Sequence, residues 1–124
     1  MAIAEDNEEI TTYEDLEGKT VAVKVGTTGA NFVNKLKEEY NIEVNKFDDS
    51  ATMYEDVIAG NSDAVFDDYP VMAYAVQQGL KLKFPLEPEA GDVYGFAVNK
   101  DQNPELLEMF NEGLANIQEN GTYD

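Results

Sequence analysis

The sequence contains no cysteine, no histidine and no arginine. Without cysteine there is neither a disulfide nor a thiol nucleophile, and the redox compartment is left open. Without histidine, Ser-His-Asp and Cys-His catalysis fall away, and so do most zinc sites. The eight basic residues are all lysine and face 26 acidic ones, for a net charge of −18. A surface this acidic repels nucleic acid and anionic membranes, which bind through clustered Lys and Arg. It favours solubility and suits cationic partners or high salt; its simplest meaning is a well-solvated surface. No apolar run approaches the roughly 18 residues of a membrane helix. Met1-Ala2-Ile3-Ala4 is too short for a signal peptide. The sequence therefore reads as a cytoplasmic protein, a mature secreted one, or a cut fragment.

What is present is one domain's worth of chain. At 124 residues and 43% apolar composition it can bury a real core, and disorder is not expected. Residues 5–17 are acidic and weakly patterned, a mobile lead-in with one turn around Thr12 to Leu16. Thr20 to Lys24 is a β-branched run that predicts a buried strand. From Ala30, Phe32, Val33, Leu36 and Tyr40 share one helical face, which Asn41 ends. Ile42, Val44 and Phe47 alternate as a second strand. Asp48-Asp49-Ser50 offers a cap, and Met53, Tyr54, Val57 and Ile58 follow at helical spacing until Gly60. Asp63 to Phe66 is a compact third strand. Tyr69-Pro70 opens a third helix, ended by Gly79. Leu80 to Phe84 alternates as a fourth strand and Asp92 to Val98 as a fifth. Asn103-Pro104 starts a last helix with Leu106, Leu107, Phe110, Leu114 and Ile117 on one face and Gly121 as its stop. Strands alternating with helices predict an α/β unit with a parallel sheet covered on both faces. Only the fifth strand lacks a preceding helix, so it is expected to run antiparallel.

Two strand ends are polar: Lys24-Val25-Gly26-Thr27-Thr28-Gly29 after the first, and Asp67-Asp68 after the third. Ligands of open α/β sheets bind beyond such ends. A strand that runs through small and hydroxyl residues into a helix aims backbone N–H groups and a positive dipole end outward, which suits a carboxylate or phosphate. Gly-Thr-Thr-Gly is equally compatible with a plain tight strand-to-helix connection. If the two ends are neighbours, a zwitterion fits them. The turn takes an α-carboxylate, an aspartate takes an α-ammonium, and Lys24 reaches a polar side chain. Against this, Lys24 can be a strand-end lysine reaching water, and one of the two aspartates serves as a helix cap before Tyr69-Pro70.

These residues carry a resemblance. Val21 to Gly29, then Ala64-Val65-Phe66-Asp67-Asp68-Tyr69-Pro70, then Tyr94-Gly95-Phe96-Ala97-Val98, then Glu119-Asn120-Gly121-Thr122-Tyr123-Asp124 come in the order and spacing of the polar amino-acid binding proteins of ABC importers. The sequence most resembles the glutamine-binding type, from about Tyr13 to the end. The resemblance implies a periplasmic-binding-protein-like type II fold, in which two α/β lobes close on an amino acid. Only the second lobe is matched. Implied is a three-layer α/β/α lobe with a five-stranded mixed sheet, order 2-1-3-5-4 and strand five antiparallel. Residues 1–17 are then the lead-in, 18–92 the lobe proper, and 93–124 a returning strand and C-terminal helix.

For the site, the resemblance implies Thr28 at the ligand carboxylate, with Gly26 and Thr27 in the same turn. It implies Asp68 at the ammonium and Lys24 at a side-chain amide. Asp67 stands where some glutamine binders carry histidine. The family's first lobe supplies an arginine and aromatics, and this chain has no arginine to offer. The expectation is an isolated lobe of an extracytoplasmic receptor, periplasmic or a cell-surface lipoprotein, that is not an enzyme. Its partners would be an amino acid (glutamine favoured), the missing first lobe and an ABC permease, with weak self-association. No cofactor, metal or nucleic acid is expected. Two other classes fit parts of the pattern. One is a phospho-acceptor receiver domain, although receivers carry the acidic pair after the first strand and the lysine late. The other is an interaction domain without a ligand.

Overall fold

The computed structural model describes residues 1–91 and 93–123. It divides into two compact units, Met1–Gly91 and Asp92–Asp124. In the first unit the elements follow as β1 (Ile3–Ala4), a 3-10 turn (Glu14–Leu16), β2 (Thr20–Lys24), α1 (Thr28–Tyr40), β3 (Glu43–Phe47), α2 (Ser50–Ile58), β4 (Ala64–Phe66), α3 (Tyr69–Gln77) and β5 (Leu82–Lys83).

The central strand is β2, because Val21, Ala22 and Val23 are apolar on both faces and fully buried. It pairs in parallel with β3 on one side and β4 on the other. The two faces alternate as a strand's side chains must. Val21 and Val23 pack on Ala30 and Val33 of α1, with Ile42, Ala64 and Phe66 in the same cluster. Ala22 and Val65 face the other way, onto Met53, Tyr54 and Val57 of α2 and Met72 of α3. Helices therefore cover both faces, giving the three layers expected of the α/β lobe.

The five-stranded sheet is where structure and sequence reading part. Three strands take the order β3-β2-β4, and β1 and β5 form a separate antiparallel pair. The two sheets meet at one antiparallel bridge, where Ala2 and Val65 exchange backbone hydrogen bonds of 2.9 and 2.8 Å. Val93 to Val98, expected as the antiparallel fifth strand, is not a strand. The free edge of β4 is taken by Ala2 instead, so the antiparallel place is filled from the chain's beginning. Residues 5–17, expected as a mobile lead-in, are likewise tied to the core. Ala2, Ile3, Ile10 and Leu16 are all buried in the core. The acidic residues between them hid the pattern. Asp15 ties that segment together by accepting from the backbone N–H groups of Thr11 and Thr12 at 2.8 and 2.9 Å.

The second unit holds α4 (Pro104–Glu119), started by Pro104 and followed by Gly121 at φ 75°. That left-handed turn is the usual glycine stop of a helix. Phe96 stacks on Phe110 with ring centres 4.1 Å apart. No residue of α4 is buried, and Leu106, Leu107, Phe110 and Ile117 are among its exposed apolar side chains. Asp92 in the expected fifth strand and Asp124 at the end of the C-terminal motif lie outside the described residues.

Candidate functional site

Register builds the site. Val23 of β2 lies opposite Phe66 of β4, so one residue further Lys24 and Asp67 leave the sheet side by side. Side chains alternate along a strand, so Lys24 and Asp67 follow Ala22 and Val65 onto the α2 face. There they meet Ser50 and Tyr54, one helical turn apart on α2. The Lys24 Nζ donates to Ser50 Oγ at 2.7 Å. Ser50 Oγ donates in turn to Asp67 Oδ2 at 2.9 Å, and the Tyr54 hydroxyl donates to the same oxygen at 2.8 Å. Asp67 Oδ1 accepts from the Asp68 backbone N–H at 3.0 Å. Lys24 Nζ stands 3.7 Å from Asp67 Oδ2, and the Asp67 side chain is only 2% exposed against 30% for Lys24. Burial first, and then the carboxylate it donates to, push the Tyr54 phenol well above the usual tyrosine range.

The turn after β2 is shaped by Gly26, at φ 75°, a conformation that penalises a side chain. Thr27 caps α1: its Oγ1 accepts from the Ala30 N–H at 3.2 Å and donates to the Lys24 carbonyl at 2.8 Å. Thr28 is the first residue of the helix, at the positive end of its dipole. Gly29 brings that helix start against β4. A methyl group there would lie 2.9 Å from the Phe66 carbonyl oxygen and 3.5 Å from the Asp67 nitrogen. The opening of α1 therefore packs directly on the backbone that leads into Asp67 and Asp68.

Asp68 occupies the N-cap position of α3, yet its carboxylate makes no capping hydrogen bond; only its backbone carbonyl serves the helix, accepting from Val71 and Met72 at 3.1 Å. The two aspartates thus divide. Asp67 is folded into a network, and Asp68 sits exposed at the same sheet edge with its carboxylate uncommitted to the helix. On α2 the cap is Asp49, which accepts from the Thr52 N–H at 2.9 Å. Ser50, grouped with the cap in the sequence, is instead a polar group of the site. Tyr54 falls among the apolar positions of the helical pattern; the signal that could have found the pair is a serine and a tyrosine four apart on the face turned to the sheet. Among the described residues no group of three or more acidic side chains is placed to hold a metal ion.

No protein-family model matches the chain. It is 36% identical over 110 residues to the arginine-binding periplasmic protein of Mannheimia haemolytica, covering 85% of this chain and 45% of that protein. It is 44% identical to the second substrate binding domain of a putative amino acid ABC transporter from Streptococcus pneumoniae, with a TM-score of 0.72 over 97% of this chain and 54% of that one. The isolated domain 2 from TmArgBP is 35% identical, with a TM-score of 0.59, and 89% of its length is covered by 68% of this chain. The chain belongs to the amino-acid-binding proteins of ABC importers. Within that family it corresponds to the second lobe, since a solved domain 2 is matched over nearly all its length. The chain spans about half the length of the curated relatives it matches. These relatives are named as binding proteins, not enzymes. The match also sets aside the phospho-acceptor receiver reading.

Proposed function

We propose that this chain acts as the second lobe of an extracytoplasmic amino-acid receptor that delivers its ligand to an ABC permease. The turn at Gly26, Thr27 and Thr28 takes the ligand's α-carboxylate. Asp68 takes its α-ammonium, and Lys24 meets its side chain. The ligand class is a polar amino acid, with glutamine favoured. Residues 18–92 form the lobe proper, and 93–124 belong to the passage back toward the first lobe, which brings aromatic residues of its own and an arginine, a residue type this chain lacks.

One observation carries the reading: the start of α1 packs against the Phe66–Asp67 backbone. A helix N-terminus and the exposed Asp68 carboxylate thereby share one sheet edge, the pairing of charges an α-amino acid requires. Lys24 supports an uncharged side chain, because an ammonium at that place disfavours a cationic one. The reading is tested by replacing Asp68 with asparagine in a receptor carrying both lobes. Amino-acid binding should weaken by about 2–5 kcal/mol, the range for removing one side of a buried charge pair. Calorimetric titration measures it, and an unchanged affinity would place the ammonium elsewhere.

A further inference from the structure

We propose that Asp67 is a positioning residue and that, with Ser50 and Tyr54, it fixes Lys24 as an electrically neutral floor of the side-chain subsite, which selects an uncharged polar side chain. The inference rests on the functional reading above and deepens it. Three observations carry it. The Asp67 carboxylate already accepts from Ser50, Tyr54 and the Asp68 backbone and is 2% exposed, so it has little left to give a ligand. Lys24 spends one N–H on Ser50 and shares its charge with Asp67 at 3.7 Å. An ammonium has three donors, so at least one remains, on a side chain 30% exposed at the sheet edge.

The charge arithmetic decides what that donor accepts. Lys24 and Asp67 together carry no net charge. A ligand carboxylate at Lys24 would bring a second anion beside Asp67, whose own charge is already buried. A guanidinium would face the ammonium directly. A carboxamide oxygen can accept the free N–H without adding charge. Polar groups held this way discriminate sharply, because a mismatched ligand leaves them unpaired or adds an uncompensated charge. Ser50 and Tyr54 act through Asp67 and Lys24. They are one turn apart on a rigid helix, which holds the floor in a single geometry.

The test uses this chain, isotope-labelled and titrated by NMR with L-glutamine, L-glutamate, L-arginine and L-alanine; alanine offers the backbone groups alone. In the unaltered chain glutamine should bind more tightly than glutamate or arginine. Asp67→Asn leaves Lys24 uncompensated, so the affinity of glutamate relative to glutamine should rise at least tenfold while alanine changes by less than twofold. Tyr54→Phe and Ser50→Ala should erode the advantage of glutamine over alanine severalfold, and Ser50→Thr, which keeps the hydroxyl, should restore it. If every variant weakens all four ligands by one common factor, the network is merely structural and the proposal is overturned. If alanine and the others perturb Thr28 and Asp68 but the ratios stay fixed, the functional reading survives and this inference does not. If no amino acid perturbs that edge in the unaltered chain, both fall.

Discussion

At the residue scale, Gly29 is the contact on which the site's geometry depends. An added methyl group would meet backbone, the Phe66 carbonyl oxygen at 2.9 Å, and not a flexible side-chain end. Alanine would gain at most about 1 kcal/mol of helix propensity. Overpacking costs about 1–3 kcal/mol, so Gly29→Ala should lower stability, by up to about 2 kcal/mol once the two are offset. Urea denaturation with an unchanged slope would register it; a more stable variant would mean α1 and β4 can part freely. The two aspartates show what single residues can and cannot reveal in sequence. That the two aspartates would not share one role was the expectation from Asp67-Asp68 before Tyr69-Pro70. Which one is engaged was not readable there, because it depends on Ser50 and Tyr54, brought in by α2 from across the sheet. The outcome is subtler than a cap: Asp68 holds the cap position without capping through its side chain, and Asp67 is tied to α2.

At the element scale, the alternation of β-branched runs and amphipathic helices was enough to place β2, β3, β4 and the helices around them. Strand β1 was hidden because it is two residues long and its partners, Lys83 and Leu82, lie more than seventy residues away in sequence. The opposite error at Val93 to Val98 has the same root. Its alternating composition suits a strand, but a strand also needs a partner to pair with, which local composition does not supply. If the first segment is part of the core, Ile10→Ala should cost about 2–5 kcal/mol, as for other buried large-to-small changes. A loss under about 0.5 kcal/mol in urea denaturation, the surface range, would return residues 5–17 to the status of a loose lead-in. The same segment carries a pH signature. Tyr13 donates to Glu89 at 3.0 Å, and burial, then that carboxylate, push its phenol from 10.0 to about 12. The fold favours the protonated form. Its contribution to stability is therefore complete below pH 10 and is lost as the pH rises toward 12. Thermal melts across that window should show the decline, and Tyr13→Phe should lessen it; an equally steep decline in that variant would assign it to other groups.

At the scale of the whole molecule, the account is of half a clamp. A closed site gains strength by burying the amino acid between two lobes and expelling water, which strengthens each charged contact. One lobe leaves the ligand facing solvent. Exposed ion pairs contribute about 1 kcal/mol or less each, and association costs at least about 4 kcal/mol in lost freedom. The most direct measurement is a titration of this chain alone with L-glutamine, followed by NMR at every backbone amide. The account predicts shifts confined to Gly26 through Gly29, Lys24 and Asp67–Asp68, with a dissociation constant of about 1 mM or weaker. Micromolar saturation would show that one lobe suffices. Shifts elsewhere, with this edge silent, would contradict the site itself.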